Sequence, residues 1–138
     1  MTTDPGTTYP ETTYPETTDP ETTDVFEVQL RLGDDWFTVC DLSLLMPGRG
    51  AAALLPDGRQ VALFLDRAGR TYAIDNRDPF SGAAVLSRGL TGTHQGRPFV
   101  ASPLLKQRFD LESGHCLDDG TVRVATYEVR AAWKEVLD

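Results

Sequence analysis

The sequence predicts an all-β domain whose antiparallel strands form a β-sandwich or barrel, with little helix. Short runs of apolar or β-branched residues recur along the chain, and turn signals separate them at intervals of roughly ten residues. Such a rhythm of short strands and frequent turns is typical of antiparallel architectures. The turn signals are the pairs Pro47-Gly48, Asp57-Gly58, Ala68-Gly69, Gln95-Gly96, Ser113-Gly114 and Asp119-Gly120.

Six runs are interpreted as strands, in chain order residues 36–40, 51–55, 61–65, 71–74, 98–101 and 122–129. In the fourth run, Tyr72 and Ile74 alternate with smaller or polar neighbours, as expected of a half-buried strand. Residues 81–89 hold two glycines and are long for a hairpin, so they predict an irregular excursion from the sheet. Residues 131–137 fit either two helical turns, with Trp133 and Leu137 on one side, or a final strand.

The first 24 residues differ from the rest in composition. They repeat a five-residue unit, TTYPE, TTYPE, TTDPE and then TTD. Such a segment cannot bury enough apolar surface to offset its conformational entropy, so this tail is predicted to be disordered. A partner-binding or phosphorylated tail is the alternative. Residues 25–138 are then one folded domain, because a chain of 138 residues is too short for two cores.

The net charge of −8 is concentrated in the tail. Residues 1–24 contain six acidic residues and no lysine or arginine, so they carry −6, and residues 25–138 carry −2. This balance gives no support to binding of nucleic acid or of an anionic membrane. No stretch approaches the roughly 20 apolar residues that span a bilayer. The N-terminus lacks the basic region and apolar core of a signal peptide, so none is predicted. The chain is therefore expected in the cytoplasm, with Cys40 and Cys116 as reduced thiols.

Two stretches of the chain carry a family resemblance. Residues 73–89 contain NRDPF (76–80) and VLSRG (85–89), and residues 99–116 contain ASPLLKQRF (101–109). They resemble the two cluster-binding loops of Rieske proteins, which read Asn-x-Cys-x-His and Cys-Pro-x-His. In that family a phenylalanine, an acid, a leucine and a glycine turn follow the second loop. The resemblance implies a Rieske-like fold with a degenerate cluster-binding subdomain.

All four ligand positions of the resemblance are changed. Asp78 and Ser102 stand at the cysteine positions, and Phe80 and Leu105 stand at the histidine positions. A Rieske [2Fe–2S] centre needs two thiolates on one iron and two imidazoles on the other. Phenylalanine and leucine offer no lone pair, and the hard oxygens of aspartate and serine suit a sulfide cluster poorly. We interpret these positions as vestigial and expect neither metal nor cofactor in this chain.

The frame around the vestigial positions is kept, at Asn76, Pro103, Phe109, Leu111 and Gly114. Asn76 and its neighbour Asp75 are expected to hydrogen-bond loop backbone. His115 and Cys116 are adjacent, so on a strand they would point to opposite faces. His94 and His115 are expected at the surface, and Cys40 and Cys116 are expected to be small core residues. No nucleophile elbow or glycine-rich nucleotide loop is present, so no catalytic residue is predicted.

Residues 36–130, which keep the surrounding motifs but have lost the ligands, resemble the small subunit of bacterial NAD(P)H-dependent nitrite reductase. The resemblance implies a non-catalytic accessory subunit in nitrate assimilation. Its partner would be a large subunit that carries flavin, an iron–sulfur cluster and sirohaem and reduces nitrite to ammonia. One alternative is a protein-interaction adaptor on the same fold. Another is a Rieske-type electron-transfer ferredoxin, which would need the missing cysteine and histidine pairs.

The altered loops are open to two interpretations. Phe80, Leu104 and Leu105 fill the vacated cluster site as an apolar plug, because cores do not tolerate voids, or part of this set is exposed and docks on the large subunit. Residues 76–109 contain five basic residues, Arg77 and Arg97 among them, against one acid, Asp78. This basic tip would meet an acidic surface of the partner. The hypothesised interface is Phe80, Arg88, Leu104, Leu105, Lys106 and Arg108.

Overall fold

The computed structural model describes residues 26–134, which fold into ten antiparallel strands. In chain order these are β1 Phe26–Leu32, β2 Asp35–Asp41, β3 Ala51–Leu54, β4 Gln60–Leu65, β5 Thr71–Asp75, β6 Leu90–His94, β7 Arg97–Ala101, β8 Arg108–Asp110, β9 Thr126–Tyr127 and β10 Val129–Trp133. The helical segments of the described residues are two 3₁₀ turns, at Leu42–Leu44 and Leu86–Arg88. The predicted all-β class with little helix is confirmed, and the predicted tail lies outside the described residues.

The first of two compact units contains the sheet β10-β1-β2. Phe26, Val28 and Leu30 are buried along β1 and alternate with more exposed polar residues, which is the period of a strand. This strand was not among the six predicted ones, because its alternation begins directly after the repeat tail. Residues 131–133, for which the sequence fitted either a helix or a strand, belong to strand β10, which ends at Trp133. Residues 135–138 lie outside the described part of the chain.

The second unit, Leu45–Tyr127, contains two antiparallel sheets. One has the strand order β3-β4-β5-β9 and the other the order β6-β7-β8. Ala73 is buried along with Tyr72 and Ile74, so β5 is covered on both faces rather than half-buried. Both sheets contribute to one core cluster, which consists of Ala62, Phe64, Tyr72, Ile74, Leu86, Val100, Phe109, Leu111, Cys116 and Val124.

Two further strand predictions need correction. The run 122–129 is not one strand, because residues 122–124 hydrogen-bond the segment 114–116 instead. The Val124 N–H donates to the Gly114 carbonyl at 2.8 Å, and the Cys116 N–H donates to the Val122 carbonyl at 3.0 Å. Strands β6 and β8 were missed, since one is rich in polar residues and the other is three residues long. Pairing with β7 on both sides holds them in the sheet.

The connections between strands follow the predicted turns. Gly58 after β3 and Gly69 after β4 adopt φ angles of 92° and 90°, a left-handed region that glycine enters without steric cost. Residues 81–85 form the predicted irregular excursion, which ends in the 3₁₀ turn Leu86–Arg88. This excursion and the β7–β8 connection both belong to the second unit. The two stretches that carry the family resemblance are therefore parts of one compact body.

Candidate functional site

Two loops bring the vestigial ligand positions together. The first loop, residues 76–85, follows β5, and the second loop, residues 102–107, connects β7 to β8. The Ser102 hydroxyl donates a hydrogen bond to Asp78 Oδ2 at 2.6 Å. Both side chains are buried, with exposed fractions of 1% and 0%. The two former cysteine positions therefore contact each other directly, and this hydrogen bond joins loops 24 residues apart in sequence.

Asp78 also organises the first loop from within. Its Oδ1 accepts the Phe80 N–H at 2.9 Å, so both carboxyl oxygens have donors. Its backbone N–H donates to the Ala83 carbonyl at 2.8 Å, and its carbonyl accepts the Gly82 N–H at 2.7 Å. An aspartate followed by a proline favours such a turn, because the side chain caps the backbone two residues on. Both oxygens of the carboxyl group that replaces a cysteine therefore accept hydrogen bonds from within the protein.

The second loop is a tight hairpin that begins and ends with hydrogen bonds at Ser102. The Ser102 N–H donates to the Gln107 carbonyl at 2.9 Å, and the Lys106 N–H donates to the Ser102 carbonyl at 3.0 Å. Lys106 adopts a φ of 67°, which lets the chain reverse within the loop. The Ser102 hydroxyl also accepts the Leu104 N–H at 3.3 Å. The loop therefore displays Leu104, Leu105 and Lys106 at its tip.

Asn76 fixes the base of the first loop, and the expectation that it binds loop backbone is confirmed. Its Oδ1 accepts the Ser87 N–H at 2.7 Å, and its Nδ2 donates to Gln60 Oε1 at 3.0 Å. Neighbouring Asp75 accepts the Arg77 N–H at 3.3 Å, also as expected. Asn76 is buried, so these bonds satisfy a side chain that would otherwise be costly to desolvate. The asparagine thereby ties the first loop to β4 and to the 3₁₀ turn.

The two former histidine positions behave differently from each other. Phe80 is half-buried and packs against the core cluster, with its ring centroid 6.2 Å from that of Phe109. Leu104 and Leu105, by contrast, are 51% and 52% exposed. Phe80 therefore packs inward, as the apolar-plug interpretation expects, whereas Leu104 and Leu105 are exposed, as the docking interpretation expects. Because Asp78 and Ser102 are in hydrogen-bond contact, no void lies between them for a leucine to fill.

The basic residues around the loops are mostly paired. Arg97 contacts Asp110 at 2.6 Å and Glu112 at 3.2 Å. Arg108 contacts Asp118 at 2.8 Å, and its guanidinium holds the pKa of Asp118 below its ordinary value. Within residues 26–134, Arg88 and Lys106 are exposed and make no ion pair. The positive charge of the predicted tip that no ion pair of the described residues offsets is therefore carried by Arg88, Lys106 and Arg77, and the guanidinium of Arg77 donates to the Gly82 carbonyl at 2.9 Å.

The donor atoms of the loops do not fit a Rieske cluster. Across the described residues, no three histidine, cysteine, aspartate or glutamate side chains lie close enough to hold a metal ion. The only polar groups at the four ligand positions, those of Asp78 and Ser102, are bonded to each other. A carboxyl and a hydroxyl group in mutual contact cannot supply the two thiolates and two imidazoles that this cluster needs.

The histidine and cysteine side chains of the described residues are those of His94, His115, Cys40 and Cys116. His94 and His115 are exposed, as expected, and Cys116 is in the core cluster, on the face opposite to His115. Cys40 is only half-buried, and burial, together with Asp41, raises the pKa of its thiol. A raised pKa keeps a thiol protonated and unreactive. These four residues therefore give no nucleophile and no metal site.

Leu90 is an exposed apolar residue that was not among the predicted site residues. Leu90 is 78% exposed at the start of β6, directly after Arg88 and Gly89. The only signal in the sequence is a large apolar residue at the head of an otherwise polar strand, which is weak by itself because isolated exposed leucines are common. In the folded chain, Leu90 pairs with Ala101, the residue that precedes the second loop.

The fold and the two loops define a class of protein, a Rieske-like domain in which an internal hydrogen bond and apolar residues stand at the ligand positions. Residues 35–137 match the family described as the Rieske-like [2Fe-2S] domain. The chain is 46% identical over 96 residues to the nitrite reductase (NADH) small subunit of Salmonella typhimurium, which covers 69% of this chain and 88% of the relative. The chain therefore belongs to the family of nitrite reductase small subunits.

Two further comparisons bear on this family. The NMR structure of the Escherichia coli protein NirD superposes with a TM-score of 0.62 at 45% identity and covers 68% of this chain and 86% of that one. The nitrite reductase [NAD(P)H] large subunit of Klebsiella oxytoca is 45% identical over 96 residues, which are 69% of this chain and 10% of that protein. No helix among residues 26–134 is long and apolar enough to cross a membrane.

Proposed function

We propose that this chain is a non-catalytic accessory subunit of a cytoplasmic NAD(P)H-dependent nitrite reductase in nitrate assimilation, and that it holds no [2Fe–2S] cluster. Its partner is a large subunit that carries flavin, an iron–sulfur cluster and sirohaem and reduces nitrite to ammonia. The observation that carries this proposal is the buried 2.6 Å hydrogen bond between Asp78 and Ser102 in a chain of the small-subunit family. A domain whose cluster-ligand positions are occupied by an internal hydrogen bond, but whose loops are retained, is expected to work by binding a partner through its surface.

The relatives support a large subunit as the partner. The Salmonella typhimurium protein is named as a small subunit, and the Klebsiella oxytoca protein contains a similar segment within a chain named as a large subunit. A domain that is separate in one protein and joined to the large subunit in another is expected to work next to that subunit. Linking two interacting modules raises their effective concentration without changing their contacts.

The second loop is the part of the surface best suited to docking. Leu104 and Leu105 expose about half of their surface, and Arg88 and Lys106 supply positive charge that no described acidic residue neutralises. Exposed apolar side chains with a polar rim are a usual sign of an interaction site. Phe80 and Arg108 belong to the same hypothesised interface. Phe80 also packs against the core cluster, and Arg108 also forms an ion pair with Asp118, so both residues stabilise the loops as well.

The first test combines spectroscopy with reconstitution. The purified chain, after anaerobic treatment with iron and sulfide, should contain no stoichiometric iron and no visible absorption. The matching large subunit should co-purify with it, and NADH-dependent nitrite consumption should change when the chain is added. A coloured, redox-active chain would favour the electron-transfer ferredoxin, while a colourless chain that neither binds nor alters turnover would favour the adaptor.

A second test addresses the charged rim. The double variant Arg88→Glu, Lys106→Glu should slow association with the large subunit, and the loss should shrink at high salt. The double variant Arg67→Glu, Arg70→Glu is the matched control, because both residues are exposed arginines between β4 and β5 of the same unit and the change in net charge is the same. Arg108→Glu is a poor probe, since it would also break the Asp118 ion pair. Equal association rates for the double variant and the control would exclude an electrostatic role for the rim.

A further inference from the structure

The sheet β6-β7-β8 has two faces with different surroundings. Thr91, Val100 and Phe109 form one row of cross-strand partners, and Val100 and Phe109 are fully buried in the core cluster. Side chains of cross-strand partners point to the same face, and neighbouring residues on a strand point to opposite faces. The adjacent row, Leu90, Ala101 and Arg108, therefore lies on the outer face of this sheet.

In its first two rows, counted from Leu90, the outer face has apolar residues on β6 and β7 and the charged residues Arg108 and Asp110 on β8. Leu90 is largely exposed, and Ala101 is half-buried beside it. In the next row, Phe99 pairs with Gly92, and a Cβ atom at Gly92 would lie 2.8 Å from Cζ of the phenylalanine. The tip of the aromatic ring therefore lies over the glycine. The Arg108 guanidinium is 5.7 Å from the ring centroid and borders this apolar area with positive charge.

The second loop follows directly at the Ala101 end of this face. Ser102 follows Ala101 directly, so the loop with Leu104 and Leu105 at its tip begins at the end of the Leu90 row. Directly before β6, Gly89 packs so closely on the Ala101 carbonyl that an added Cβ would overlap it. Because of this close packing, Leu90 is held beside the base of the loop. The exposed Leu90 therefore lies at the strand end from which the hairpin with Leu104 and Leu105 begins.

We infer that the docking surface extends from the second loop onto this outer face, with Leu90 as a central anchor, and that it binds an apolar patch with an acidic rim on the nitrite reductase large subunit. The inference rests on the proposed function. The choice of occupant follows from the charge of the rim, where Arg88 and Lys106 make no ion pair with any residue in 26–134, and from the Klebsiella oxytoca large subunit, which contains a similar segment.

The inference is tested by comparing two exposed leucines on two edge strands of the same unit. Leu90→Asp introduces a charge at the proposed anchor, and Leu54→Asp introduces the same charge on β3, where Leu54 is 67% exposed. The full-length variants are titrated with the large subunit by calorimetry. Leu90→Asp should raise the Kd about tenfold or more, since it desolvates an unpaired carboxylate in the interface, whereas Leu54→Asp should leave it unchanged.

The outcomes separate this inference from the proposed function. If the wild-type chain binds and both variants bind equally well, the outer face is not part of the interface, although the accessory role stands. If the wild-type chain does not bind the large subunit, both proposals fail. Leu90→Thr guards against misfolding, because threonine suits a strand. A smaller rise in Kd for this variant, with an unchanged melting temperature, supports the inference, and a wild-type Kd contradicts it.

Discussion

The hydrogen bond between Asp78 and Ser102 should contribute measurably to the stability of the second unit. A hydrogen bond to a carboxylate contributes about 1.5–3 kcal/mol when it is buried, and this one joins two side chains with almost no exposed surface. Ser102→Ala should therefore lower the free energy of unfolding by about 2 kcal/mol. Asp78→Ala should cost more, about 3–5 kcal/mol, because the Ser102 hydroxyl and the Phe80 N–H both lose their acceptor.

A double-mutant cycle isolates the contact between the two side chains. If the hydrogen bond carries the effect, the double variant should be less destabilised than the sum of the single variants, with a coupling of about 1–3 kcal/mol. Urea denaturation followed by far-UV circular dichroism is a suitable assay. Tryptophan fluorescence is not, since Trp36 and Trp133 both belong to the other unit. Hydrogen exchange at the Phe80 N–H, which donates to Asp78, gives a local readout.

Ser81→Ala is the matched control for this cycle. Ser81 lies in the same loop, and its hydroxyl accepts the Ala83 N–H at 3.2 Å, but the residue is exposed. Water can replace such a bond, so the change should stay within about 0.5 kcal/mol. A coupling near zero between Asp78 and Ser102, or a Ser102→Ala cost no larger than that of the control, would refute the reasoning that this pair holds the two loops together.

Three further predictions concern stability and can be checked by denaturation of purified variants. The pKa of Asp110 lies below its ordinary value of 3.8, because the Arg97 side chain and backbone N–H groups outweigh the opposing effect of burial. The stability that this shift provides is present above pH 3.8 and is lost as the pH falls through the lower folded-state pKa. Arg97→Gln should therefore lower the free energy of unfolding only modestly at pH 7, because Arg97 is exposed, and the difference from wild type should shrink as the pH falls below 3.8; a difference that stays constant as the pH falls would contradict this. Gly89→Ala should cost about 2–4 kcal/mol in urea denaturation, because its Cβ would overlap the Ala101 carbonyl; a neutral effect would show that the strands can separate freely. Burial raises the pKa of Tyr72 from 10.0 to about 12, so the wild-type chain should lose stability between pH 10 and 12; in alkaline titration, Tyr72→Phe should lose less.

Much of the fold was predictable because it depends on local patterns. Turn pairs such as Asp57-Gly58 and strands such as Thr71–Asp75 follow from residue types that are adjacent in sequence. The missed strands lacked such patterns: β6 is polar, and β8 is three residues long, and both exist because β7 supplies hydrogen-bond partners. The prediction of one strand over residues 122–129 was wrong although the local pattern was present. Residues 122–124 hydrogen-bond the segment 114–116 instead of continuing into a single strand.

The sequence by itself determined that the four ligand positions hold Asp78, Phe80, Ser102 and Leu105, since the identity of a donor atom is a local property. It also determined the all-β class and the family resemblance. The tertiary structure alone decided what replaces the ligands. Ser102 meets Asp78 because two loops converge, Phe80 enters the core while Leu105 faces outward, and Arg108 is paired with Asp118. Burial and pairing depend on segments distant in sequence, so no local pattern could have assigned them.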